Sequence, residues 1–180
     1  ENQVDTFYFP YTQKPDLINV DADKILLAEK KDNKSVKAKK GSPTLFSVCI
    51  IVPVWNEERT LRGTLESLLA LNYPKDKLEI LVIDDGSTDN TLSIAKEFEH
   101  ESQIKIFSKE NGGKHTAVNF GINQTNTELV GCLDADSFVD PQALQEIVKV
   151  FQSPDMMAVT PCMVVKTPKT LIQRAQKIEY

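Results

Sequence analysis

The apolar run Leu129-Val130-Gly131-Cys132-Leu133 breaks off into Asp134-Ala135-Asp136 and then Ser137. Side chains alternate along an extended chain, so residues two apart point the same way and two carboxylates arrive at one place. Like charges held that close are costly unless a cation or protons compensate them. A hard divalent ion with oxygen ligands, Mg²⁺ or Mn²⁺, is the natural partner, and such ions keep positions open for the phosphates of a substrate. The same spacing also occurs in plain polar turns where strands end, so Asp134 and Asp136 alone leave both readings open.

Two further clusters carry potential chemistry. Asp84-Asp85-Gly86-Ser87-Thr88-Asp89 follows a second apolar run. A tight turn at Gly86 and capping by the hydroxyls or Asp89 account for the later residues. They leave Asp84 and Asp85 as candidates to accept hydrogen bonds from a nucleotide's base or ribose. In Asn111-Gly112-Gly113-Lys114-His115, paired glycines free the backbone, and Lys114 at a helix start could meet a diphosphate that the helix N-terminus also favours. A flexible turn with a solvated lysine is the plainer reading. Other motifs fail on spacing. No Gly-x-Gly-x-x-Gly follows the first strand, a calcium loop from Asp134 would place Phe138 and Val139 at obligatory positions, and neither a Walker lysine loop nor zinc spacing is present.

These clusters must be held by regular elements. Val48 to Val54 is an apolar run expected of a strand buried on both faces. Leu61, Leu65, Leu68 and Leu69 fall at helical spacing before Asn72-Tyr73-Pro74. Strands are expected at 79–83, 104–107 and 129–133. Helices are expected from Thr88 or Asp89 to about Glu99, from Gly113 to Ile122, and from Pro141 to Phe151 with proline in the first turn. Strands alternating with helices predict an α/β fold with a doubly wound, mostly parallel sheet. Ligands of such sheets sit outside the carboxyl ends of the strands, which sets Pro53 to Glu57, Asp84 to Ser87 and Asp134 to Ser137 along one rim.

Residues 1–43 lack sustained periodicity and end in a lysine-rich stretch with Gly41-Ser42-Pro43. They read as a solvated linker or N-terminal extension, with a short helix at 22–31, ahead of a folded part from 44 to 180. The chain opens on Glu1 and ends at Tyr180 within a helix-like pattern, as expected of a piece of a longer protein. Its formal charge is −5, and residues 44–180 hold 13 basic against 19 acidic side chains. That balance argues against a general nucleic-acid surface. No apolar run reaches the roughly 18 residues of a membrane helix, so this piece is expected to be soluble. Cys49, Cys132 and Cys162 lie in apolar runs and read as reduced core thiols, consistent with cytosol.

Taken in order, Val48-Cys49-Ile50-Ile51-Val52-Pro53-Val54-Trp55-Asn56-Glu57-Glu58, then Ile83-Asp84-Asp85-Gly86-Ser87-Thr88-Asp89, then Asn111-Gly112-Gly113-Lys114 with Asn119 and Gly121, then Leu133-Asp134-Ala135-Asp136, the chain resembles the family 2 glycosyltransferases from Phe46 to Tyr180. The resemblance implies the Rossmann-like GT-A fold, incomplete at its C-terminal end, and transfer from a nucleotide sugar, a UDP-sugar above all, with inversion. It implies that Pro53, Asn56, Glu57, Asp84 and Asp85 hold the nucleoside part and that Lys114 approaches the phosphates. Asp134 and Asp136 become the family's Asp-x-Asp, with Asp134 also near the donor and Asp136 the direct ligand of Mg²⁺ or Mn²⁺. Ala158-Val159-Thr160-Pro161 and Thr170 to Tyr180 resemble the polymerising branch, which includes the cellulose, chitin, hyaluronan and poly-N-acetylglucosamine synthases. That points to polysaccharide synthesis at the cytoplasmic face of a membrane, in a membrane-embedded parent.

The departures matter too. The family's base motif, Thr-Glu-Asp or similar, and the polymerases' Gln-x-x-Arg-Trp do not occur in these 180 residues. The catalytic base and the saccharide acceptor's binding segments are therefore expected after Tyr180, with negligible transfer by this piece alone. An inert nucleotide-sugar-binding module of the same fold is the alternative. A nucleotidyltransferase would need a Gly-rich signature with Arg and Lys near the first strand, which is absent.

Overall fold

The computed structural model describes the backbone of Leu26–Glu29 together with residues 45–153 and 156–160. Four strands run parallel: β2 (Val48–Val54), β3 (Leu78–Asp84), β4 (Ile104–Ser108) and β5 (Leu129–Cys132). Two short strands, β1 (Leu26–Glu29) and β6 (Ala158–Val159), join antiparallel at one side, giving the order β4-β3-β2-β5-β1-β6. Helices α1 (Leu61–Leu69), α2 (Thr91–Lys96), α3 (Lys114–Gln124) and α4 (Ala143–Val150) connect or follow the parallel strands. The expected doubly wound α/β architecture is thus present.

All seven residues of β2 are buried, as its unbroken apolar sequence requires. Val48, Ile50, Val52 and Val54 pack on one face with Leu61, Leu65 and Leu68 of α1 and Leu144 and Val148 of α4. Cys49 and Ile51 face the other way, toward Leu81, Ile83 and Ala117. At about 1.5–3 kcal/mol per buried aliphatic side chain, this strand is the largest single contributor to the two cores.

Helix α3 reaches the sheet differently from α1. Its buried positions are Ala117 and Gly121, one turn apart. A Cβ on Gly121 would stand 2.9 Å from Ile51 Cδ1 and Cγ2. Small residues therefore let α3 lie directly on β2, bringing its first residue, Lys114, to the rim. The carboxyl ends of the strands are level there: Val54 is opposite Asp84, and Asp84 opposite Ser108.

The segment expected to be a short helix at 22–31 contributes a strand instead. Leu26 pairs with Cys132 and Glu29 with Leu129. The weak apolar stripe there gives way to the open edge of β5, a tertiary partner invisible to local propensity. Helix α2 is shorter than expected, and Asn90 holds its cap position while Asp89 Oδ1 accepts from Thr91 N at 2.9 Å. Pro141 lies just before the Gln142 cap of α4 rather than in its first turn. Cys162 and the expected helix at 170–180 fall outside the described residues. Cys49 is buried and Cys132 half-buried, and burial pushes the Cys132 thiol up to about 11.

Gly121→Ala separates two opposing effects. Helix propensity favours alanine by about 1 kcal/mol, whereas overpacking against Ile51 costs about 1–3 kcal/mol. Net destabilisation of roughly 1 kcal/mol is expected in urea denaturation; a stabilised variant would show that α3 has room to move off β2.

Candidate functional site

An open cleft of about 440 Å³ lies at the carboxyl ends of the strands, lined by Pro53, Val54, Trp55, Glu57, Asp85, Asn111, Gly113, Lys114 and Asp134 to Asp136. Of the eight residues expected to bind a ligand or metal, six line it: Pro53, Glu57, Asp85, Lys114, Asp134 and Asp136. Asn56 and Asp84 do not.

Asn56 instead stitches two turns together. It adopts a left-handed φ of 56°, its N–H donates to Ser87 Oγ at 3.0 Å, and its Oδ1 accepts from Thr88 N at 2.8 Å. Asp84 is 1% exposed and serves its own turn, accepting from Ser87 N at 3.2 Å and Ser108 Oγ at 2.8 Å. Glu57 N donates to Thr91 Oγ1 at 2.7 Å, and Glu58 N to Asp89 Oδ2 at 3.3 Å. The loops after β2 and β3 are therefore one cross-linked unit. Gly86 completes it with φ 74°, and a Cβ there would sit 2.9 Å from Asn111 N.

Asp85 joins that unit to the loop before α3. Its buried carboxylate accepts from Gly113 N at 2.7 Å, from Gly112 N at 3.1 Å and from the Lys109 ammonium. Burial pushes this carboxyl up, but the Lys109 contact and the two backbone N–H groups outweigh it, leaving the group below its ordinary 3.8. The strength of these contacts shows that Asp85 shapes the cleft wall as well as lining it.

Across the cleft, β5 ends at Cys132, yet alternation persists beyond it. Leu133 and Ala135 are buried, whereas Asp134 is half-buried and Asp136 exposed. Leu133 N donates to Ile51 O at 2.9 Å, extending the pairing with β2 by one residue. The turn is then fastened by α1: buried Thr64 donates from Oγ1 to Ala135 O at 2.7 Å, and Val139 N donates to Ser67 Oγ at 3.3 Å. Gly63 leaves space for Phe138, since a Cβ there would meet its ring at 2.7 Å. Lys114 forms an ion pair with Asp134, so the lysine at the start of α3 and the acidic turn face each other directly.

Sequence reasoning missed two contributors, Thr64 and Lys109. Thr64 was legible as a polar residue within the Leu61, Leu65, Leu68 stripe, whereas Lys109 carried no periodic signal. Trp55, 56% exposed at the cleft, and Asn111 stood within the motifs but were given no role of their own.

The donor set suits a hard divalent ion in one particular way. Among the described residues no group of three His, Cys, Asp or Glu side chains could hold a metal ion. Two carboxylates at an open cleft match an ion that completes its shell with water and substrate phosphates, as Mg²⁺ and Mn²⁺ do, rather than a closed protein cage.

Residues 49–180 match the family model described as Glycosyl transferase family 2. The chain is 35% identical over 156 residues to a poly-beta-1,6-N-acetyl-D-glucosamine synthase of Staphylococcus epidermidis, covering 86% of this chain and 37% of that protein. It is 37% identical over 138 residues to the synthase of the same name from Staphylococcus aureus strain COL, covering 76% and 33%. It thus spans about a third of the length of these relatives. Among solved structures, S. aureus TarS 1–349 in complex with UDP-GlcNAc matches with a TM-score of 0.54 at 30% identity, over 57% of this chain and 30% of that one. The mannosyltransferase PcManGT from Pyrobaculum calidifontis, in complex with GDP-Man and Mn²⁺, matches with a TM-score of 0.59 at 30% identity, over 66% and 37%.

Asp85 predicts a pH dependence. The unfolded carboxyl titrates near 3.8 and the folded one below it. Its stabilising contribution is therefore complete above 3.8 and is lost as the pH falls through the folded value. Asp85→Asn is expected to cost about 2 kcal/mol near neutral pH and to flatten the acid limb of stability; urea denaturation at neutral and acidic pH measures both. Equal stability of the two proteins at neutral pH would contradict the assigned role.

Proposed function

The chain belongs to glycosyl transferase family 2, and on that footing we propose that its cleft binds the nucleotide diphosphate of a sugar donor, a UDP-sugar, for transfer to a saccharide acceptor with inversion. The observation that carries this reading is the meeting of Lys114, at the start of α3, with Asp134 and Asp136 across one open cleft that Asp85 closes from the side. A cation with helix N–H groups beside it suits phosphate oxygens. A neighbouring acidic turn suits the ion that accompanies them.

Each side chain then has a task. Trp55 and Pro53 offer an apolar face for a base, and Asp85, its oxygens engaged by Lys109 and the two glycine N–H groups, holds the wall beside it. Asn56 and Asp84 act on the loops rather than on the ligand, through the contacts described above. Lys114 leaves Asp134 for the diphosphate, which frees that carboxylate when the donor arrives. Asp136, with Asp134, would hold Mg²⁺ or Mn²⁺, which when bound neutralises charge on the departing nucleotide diphosphate as a Lewis acid. Inversion by a single displacement also needs a base on the acceptor side to take the hydroxyl proton.

The 35% identity to a poly-beta-1,6-N-acetyl-D-glucosamine synthase supports a role in polysaccharide synthesis. In this reading the work is done at the cytoplasmic face of a membrane, by a membrane-bound protein. Among the described residues, no helix is long and apolar enough to cross a membrane.

Calorimetric titration with UDP, with and without Mn²⁺, tests the assignment. Tighter binding with Mn²⁺, by about tenfold or more, is expected in the natural sequence, and Asp136→Ala should remove that gain. Affinity that ignores the metal and is unchanged in the variant would refute the role given to the acidic turn.

A further inference from the structure

Lys109 lies outside the residues that line the cleft, yet its ammonium is turned inward rather than to solvent. Three acceptors surround it: Asp85 Oδ1, Glu110 O at 2.5 Å and Thr116 Oγ1 at 2.8 Å. Its side chain is 22% exposed and that of Asp85 is 4% exposed. Thr116 Oγ1 in turn donates to Gly113 O at 2.8 Å. The charge therefore sits inside the turn from Asn111 to Gly113: a Cβ on Gly112 would come within 2.8 Å of Thr116 Oγ1 and 3.3 Å of the ammonium. One cation thus links the end of β3, the glycine turn and the first turn of α3.

We propose that Lys109 is a positioning residue for the donor diphosphate, acting through Asp85 and Thr116 to hold the Gly112-Gly113 turn so that Lys114 and the start of α3 face the cleft. This rests on the reading of the cleft as a nucleotide-diphosphate site. The physical ground is that a buried carboxylate deprived of its counter-charge rearranges its remaining partners. Those partners are the N–H groups of Gly112 and Gly113. Asn111 and Gly113 line the cleft, so movement of this turn reaches the ligand without any contact from Lys109 itself. The ammonium has all three of its donors engaged within the protein, which is why it positions the loop instead of meeting phosphate.

A double-mutant cycle tests the proposal. Lys109→Met is expected to weaken UDP binding roughly tenfold and uridine binding far less, because uridine lacks the phosphates. Lys109→Arg, which keeps the charge, should recover most of the UDP affinity. Combined with Lys114→Met, the loss should be smaller than the product of the two single losses, since both act on one interaction. Thermal melts establish that each variant is folded at the titration temperature. Unchanged UDP affinity in Lys109→Met, an equal loss for UDP and uridine, or independent effects of the two lysines would each overturn the proposal and leave Lys109 a stabilising residue only. If Lys109→Met does not fold, Thr116→Val removes the hydroxyl bridge and leaves the Asp85 ion pair. It is expected to weaken UDP roughly threefold, and unchanged affinity there overturns the proposal. Failure of the natural sequence to bind UDP would instead sink the functional reading above.

Discussion

A carboxylate removed from water must be met by donors or become neutral, and at Asp85 the chain supplies a lysine ammonium and two glycine N–H groups. The demand organises one side of the molecule. It fixes where β3 ends, how the loop after β4 returns, and the direction in which α3 begins. Gly86 and Gly113, at φ 74° and 90°, let the backbone bend around the charge. The cleft wall is in this sense the packing around one anion.

The opposite wall is built on another principle. The acidic turn after β5 has no buried charge at its centre; it is held by α1, through the Thr64 hydroxyl and the space left by Gly63. A helix whose Leu61, Leu65 and Leu68 are locked into the core is a rigid support. The exposed carboxylate of Asp136 can thus stand at the rim while the backbone beneath it stays fixed. Rigid elements carrying short loops give better-defined sites than long loops do.

The sequence made the frame readable because its signals were strong and local. The seven-residue apolar run of β2, the leucine stripe of α1 and the acidic strand ends each report their own environment, and the level rim follows from parallel topology. What escaped had no local signal. Lys109 matters through Asp85, 24 residues away. Asn56 and Asp84 look like ligand-binding residues by type, yet the Asn56 Oδ1 and both carboxylate oxygens of Asp84 are engaged in joining or bracing loops. The segment 22–31 carries a helical stripe, and pairing of Leu26–Glu29 with β5 and β6, a hundred or more residues later, makes it extended. Local pattern identifies elements well; which polar atoms remain available for chemistry is decided by contacts between them.

Strand β1 has a topological consequence. Among the described residues it lies between β5 and β6, so β6 joins the parallel sheet through a segment from the early part of the sequence. That pairing spans most of the described sequence and carries the loop-closure entropy of a long-range contact, which places it late in folding. Before it forms, or in a chain shortened to start at residue 44, β5 would present an unpaired edge beside the acidic turn, open to strands from other molecules. The N-terminal segment is therefore the hem of the sheet, sealing the side on which the acidic turn stands.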